Sequence, residues 1–110
     1  MKLFNSFSLN MLVNSDSADI NVCKIPEDVA RICVIGKLES FVGHADTAII
    51  LSGILGVEIP FNRANATINA GETVLVAQYR GPRLPEGATQ LPAGAEMNFL
   101  LVTVKEEVEE

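Results

Sequence analysis

The sequence predicts an α/β domain of the α+β kind: one mixed central sheet of about five strands flanked by short helices. Three observations carry this. Short apolar stretches with strand character recur along the chain, most clearly Ile20 to Ile25, Thr73 to Tyr79 and Met97 to Val104. Between them lies one stretch of helical period, in which Ala48, Leu51 and Leu55 recur at offsets of three and four beside Ile50 and Ile54. The length of 110 residues and a hydrophobic content of 48% suit a single core and leave no room for a second. Residues 1–104 are therefore expected to form the domain, and residues 105–110 a frayed acidic tail.

The first strand starts at Lys2-Leu3-Phe4 and runs into Asn5-Ser6-Phe7-Ser8-Leu9-Asn10-Met11, where small polar residues alternate with apolar ones. Asn5, Ser6, Ser8 and Asn10 either cap a turn while Phe7, Leu9 and Met11 pack inward, or hold backbone amides open as a cradle for phosphate or base. The pattern alone favours the capped turn. Residues 14–19 read as a polar turn, and Ile20 to Ile25 as a half-buried strand. Pro26 then opens a short helix over residues 26–32, with Glu27 and Asp28 in the first turn where the helix dipole favours them. Ile32-Cys33-Val34-Ile35 is too short to classify.

The main helix is expected to begin between Gly43 and Asp46 and to stop at Gly56. That puts His44, the one histidine of the chain, at or just before its first turn. Unpaired amides and the dipole favour an anion there and disfavour a charged imidazole unless a phosphate lies beside it. Histidine is also the side chain that exchanges protons near neutrality. A histidine at a helix start is more often a surface or capping residue, and position alone does not decide. Residues 57–63 extend toward a further strand over residues 64–69 that begins just after Arg63, and Ala70-Gly71 make a turn. The apolar run of Thr73 to Tyr79 reads as a central strand covered on both faces. Gln78 stands out there as a nearly buried amide that must satisfy a loop or read a ligand edge. Arg80 to Gly87 is a loop stiffened by Gly81, Pro82 and Pro85 that carries Arg80, Arg83 and Glu86. Guanidinium is well shaped for bidentate phosphate contact.

Fourteen acidic residues against eight basic ones give a net charge of −6, which argues against a grip on long nucleic acid and leaves a small anionic ligand open. With no apolar run of about 18 residues and no leader-like start, neither a membrane span nor export is expected, and the expected location is cytoplasmic. Cys23 and Cys33 read as buried, reduced core thiols, and no cysteine and histidine cluster suggests a metal or other cofactor.

Asn5-Ser6-Phe7-Ser8-Leu9-Asn10-Met11-Leu12, Gly43-His44-Ala45-Asp46-Thr47-Ala48, Leu55-Gly56 through Asn62-Arg63, Gln78, and Arg83-Leu84-Pro85-Glu86-Gly87 together resemble the small viral anti-CRISPR ring nucleases, a family with bacterial and prophage relatives. The likeness runs from residue 2 to about residue 104. It implies a homodimer that encloses cyclic tetra-adenylate, the second messenger of type III CRISPR defence, at its two-fold axis. The ring is cut without metal into linear di-adenylates with 2′,3′-cyclic phosphate ends, which silences the signal, in the host cytoplasm if the gene is viral. By resemblance His44 is the general acid, Glu86 an acidic residue near the reaction, and Arg83 a phosphate contact. Asn5, Ser8 and Asn10 fall in the ligand-lining segment, Gln78 lies near adenine, and Arg63 fits the pattern. The chemistry is economical: ribose brings its own 2′-hydroxyl nucleophile, so an enzyme needs to align it and protonate the leaving oxygen. After Gly87 the chain departs from the viral members, which carry a charged lid-like helix where this sequence has Ala88 to Ala95 with Pro92 inside. Two other readings stay open, a binder that sequesters cyclic oligonucleotides without cutting them and a small interaction protein whose His44 only caps a helix.

Overall fold

The structure, a computed structural model, describes residues 1–12 and 17–106. Residues 14–16 of the polar turn expected before the second strand and the end of the acidic tail, residues 107–110, lie outside the described residues. In chain order the elements are β1 (Lys2–Phe4), a 3-10 turn (Leu9–Met11), β2 (Ile20–Ile25), α1 (Glu27–Cys33), β3 (Glu39–Phe41), α2 (Ala45–Leu55), β4 (Thr73–Arg80) and β5 (Glu96–Val104). The strands form one mixed sheet in the order β2-β5-β4-β1-β3, antiparallel from β2 to β4 and parallel from β4 to β3. This is the expected single α+β domain.

The two-residue period of β4 divides the core. Leu75 and Ala77 point to the helix side, where Leu3, Val42 and Phe99 meet Ala30 of α1 and Ala48, Leu51 and Leu55 of α2. Val74 and Val76 point to the other side and pack with Phe4, Ile68, Val102 and Val104. All four β4 residues are buried, as expected of a central strand. Val74, Leu75 and Val76 each contribute about 1.5–3 kcal/mol through burial, so the sheet is held from both faces.

The helix α2 ends where the sequence suggests. Gly56 adopts φ +73°, the left-handed conformation that glycine reaches without a Cβ penalty, and its N–H donates to Ser52 O at 3.0 Å. In α1 the boundary shifts by one residue: Pro26 is the N-cap and Glu27 the first helical residue.

Four expectations are corrected. Residues 64–69 do not form a strand; the segment makes only an isolated parallel bridge, Leu12 with Ile68, and is anchored by the buried Ile68 side chain and by Lys2 Nζ donating to Thr67 O at 2.9 Å. The remaining strand is β3, which has no apolar period to announce it. It is held by parallel pairing with β1 and by a polar stitch: Ser40 Oγ donates to Pro60 O at 2.6 Å, and Asn62 Nδ2 donates to Ser40 O at 2.9 Å. The strand β2 is not half-buried throughout, because as an edge strand it exposes Asn21 to Lys24. Cys23 is consequently exposed and Cys33 only partly buried, so neither is a sealed core thiol. Gln78 is exposed rather than nearly buried, since it falls where β4 runs past its cover. Among the described residues no helix is long and apolar enough to cross a membrane.

Candidate functional site

The parallel strands β1 and β4 run in register, Phe4 beside Val76, and their carboxyl ends point the same way. β3 also runs parallel to β1, and the chain leaves it to start α2 at that same end. Crevices outside the carboxyl ends of parallel strands are where open α/β sheets place ligands. Here Asn5, His44, Asp46, Thr47, Tyr79, Arg83, Leu84, Pro85 and Glu86 line an open cleft of about 740 Å³.

Each wall has a local cause. Asn5 follows β1, and its Oδ1 accepts the N–H of Gly43 at 3.3 Å, fixing the turn into the helix. His44 is the N-cap by position, with extended backbone (φ −129°, ψ 124°), and its C=O accepts the N–H of Ala48 at 3.0 Å. Its side chain does not cap the helix, and the residue is exposed on the cleft. His44 therefore caps α2 through its backbone and not through its imidazole. Across the cleft, the loop after β4 is braced by the Tyr79 hydroxyl, which donates to Pro82 O, and by a turn in which Ala88 N donates to Pro85 O at 3.1 Å. Gly81 sits at φ +149° against Ala95, where an added Cβ would fall within 2.8 Å of that side chain, so only glycine fits this loop root. A third brace joins the walls: the N–H of Gly87 donates to Asp46 Oδ2 at 3.0 Å. Two groups suited to an anion, His44 and Arg83, thus share the cleft with two carboxylates, Asp46 and Glu86.

Of the residues singled out by sequence, His44, Glu86, Asn5 and Arg83 come together in this cleft. Ser8, Asn10, Gln78 and Arg63 do not line it. Ser8 caps the 3-10 turn, its Oγ accepting Asn10 N at 3.3 Å, and that turn lies on the sheet face opposite the helices, where Phe7, Met11 and Leu12 pack. Gln78 shares the side of Val76, whereas Tyr79 shares the side of Ala77 and turns into the cleft. Arg63 runs beside Gly43, one residue from His44, where a Cβ added to Gly43 would lie 3.6 Å from Arg63 Cγ; it is exposed and is not among the lining residues. Asp46, Thr47, Tyr79, Leu84 and Pro85 line the cleft without having been singled out. The alternation of β4 is the signal that separates Tyr79 from Gln78. Residues 88–95 form no helix, so the lid expected of the viral members has no counterpart here.

Comparison with known proteins supports a viral kinship. Among curated proteins none matches the chain. Among solved structures the chain is similar to B116 of Sulfolobus turreted icosahedral virus, with a TM-score of 0.77 and 25% sequence identity over 93% of this chain and 97% of that one. The family model described as STIV B116-like matches residues 1–98. That span takes in both walls of the cleft and every strand but the end of β5, and the chain therefore belongs to the STIV B116-like family.

Proposed function

We propose that the protein is a ring nuclease that opens cyclic tetra-adenylate and so ends the signal of type III CRISPR defence. The observation that carries the reading is His44: an imidazole at a helix N-terminus, free of any capping role, facing a cleft that also holds Arg83. In the proposed step the ribose 2′-oxygen attacks the adjacent phosphorus while the bond from phosphorus to the 5′-oxygen breaks. His44 gives its proton to that leaving oxygen, and Glu86 accepts the proton of the 2′-hydroxyl. Arg83 and the first-turn amides of α2 offset the phosphate charge, and Asn5 holds the turn that aims His44. The product of two such cuts is a pair of linear di-adenylates with 2′,3′-cyclic phosphate ends. A homodimer places one His44 on each side of a ring of four equal nucleotides, matching the symmetry of the ligand. The acidic surface, net charge −6, suits a small ligand gripped locally rather than long nucleic acid.

Purified protein incubated in EDTA with cyclic tetra-adenylate and separately with cyclic hexa-adenylate, beside His44→Ala, tests the reading by chromatography of the products. Wild-type conversion of the tetramer ring to linear di-adenylate, lost in the variant, supports it. Intact ligand with wild type refutes it, and a thermal shift with the same ligand then separates a sequestering binder from a protein with no ligand of this class.

A further inference from the structure

The carboxylate of Asp46 is out of place in a cleft for an anion, since it repels the phosphates that His44 and Arg83 attract. Its one hydrogen bond among the described contacts accounts for it: Oδ2 accepts the backbone N–H of Gly87, 41 residues away, at 3.0 Å. Gly87 closes the loop that carries Arg83 and Glu86, and its φ of +80° turns the chain there without any neighbour within 4 Å of its Cβ position. The loop itself is mostly exposed. Apart from this bond, its described hydrogen bonds, Tyr79 to Pro82 and Ala88 to Pro85, connect residues within the loop and its root. None of those fixes its distance from α2. The Asp46 bond does.

We propose that Asp46 is a positioning residue that latches the residue 81–87 loop to the first turn of α2 and thereby sets Arg83 and Glu86 opposite His44. Its negative charge is tolerated because it sits in the first turn of a helix and is spent on a backbone donor. The latch holds whether or not the ligand is cyclic tetra-adenylate; only the kinetic part of its test rests on the function proposed above.

The two substitutions Asp46→Asn and Asp46→Ala separate the latch from simple charge. Both remove the same negative charge beside the cleft, but asparagine keeps a carbonyl oxygen that accepts the Gly87 N–H. The latch predicts that Asp46→Ala speeds amide exchange at Gly87 about tenfold, read by NMR, while Asp46→Asn stays near wild type. With cyclic tetra-adenylate, Asp46→Ala lowers kcat about tenfold through misplaced loop groups. Asp46→Asn keeps kcat and lowers KM, because repulsion is gone and the latch is not. Equal behaviour of the two variants, in Gly87 exchange or in the split of kcat and KM, overturns the latch. Failure of wild type to cut the ring overturns the function instead, and the Gly87 exchange still decides the latch.

Discussion

On one side of the cleft His44 and Thr47 stand on a helix whose inner residues Ala48, Leu51 and Leu55 are buried in the main core; on the other, Arg83 to Glu86 stand on an exposed loop held by a handful of hydrogen bonds. The helix wall is fixed by apolar burial in a close-packed core, which is costly to disturb. The loop wall is fixed by polar contacts that compete with water and open at low cost. On the function proposed above, such an arrangement places the proton donor where position matters most and leaves the groups that meet the ligand where they can yield to admit it. The proton donor of that function therefore stands on the rigid wall, and the phosphate contact Arg83 and the base Glu86 stand on the yielding one.

That division can be broken by experiment. The largest effect expected is on turnover: under the proposed function His44→Ala removes the proton donor and slows ring cleavage by about 10²–10⁴-fold while ligand binding and Tm stay near wild type. A parallel loss of binding, read by calorimetry, would show that His44 grips as well as reacts. Next in size is the support beneath the first wall. Leu51, fully buried in the main core, costs about 2–5 kcal/mol when cut to alanine, a fall in Tm of about 10 °C or more by calorimetry.

The second wall responds differently. Because Arg83 is exposed on the loop, Arg83→Ala leaves Tm within about 2 °C of wild type but weakens cyclic tetra-adenylate binding about tenfold, an effect that shrinks at high salt. A stability loss as large as that of Leu51→Ala would erase the contrast between the walls. The smallest effect lies away from both. Glu27 and Arg31 pair at 3.1 Å across one turn of α1 with both side chains half exposed, so Glu27→Gln costs about 0.3–0.5 kcal/mol, measurable by urea titration, and leaves turnover unchanged.

How much of this could be read from residues follows from whether a signal is local. The helix α2 announces itself by period and by Gly56, and β4 by its unbroken apolar run, so the elements that carry the cleft were legible. His44 was legible because helix starts are. The strand β3 was not, since its three residues are held by β1 and by Pro60 and Asn62, partners that no local pattern reveals. The apolar run of β4 also hid where its cover ends, which is why Gln78 read as buried and Tyr79 passed unnoticed at the cleft. Asp46 looked like an ordinary first-turn acid because its partner is supplied by a distant loop.

The stitch between Ser40, Pro60 and Asn62 has a consequence for association between molecules. It lays residues 59–62 along the outer side of β3, where Val42 bridges Phe61 and Asn62 N donates to Val42 O at 2.9 Å, so that margin of the sheet is already covered by the chain itself. The opposite margin, β2, has no such cover among the described residues. A sheet with two bare margins can add strands without end, as fibres do; a sheet sealed on one side joins at most one neighbour and stops.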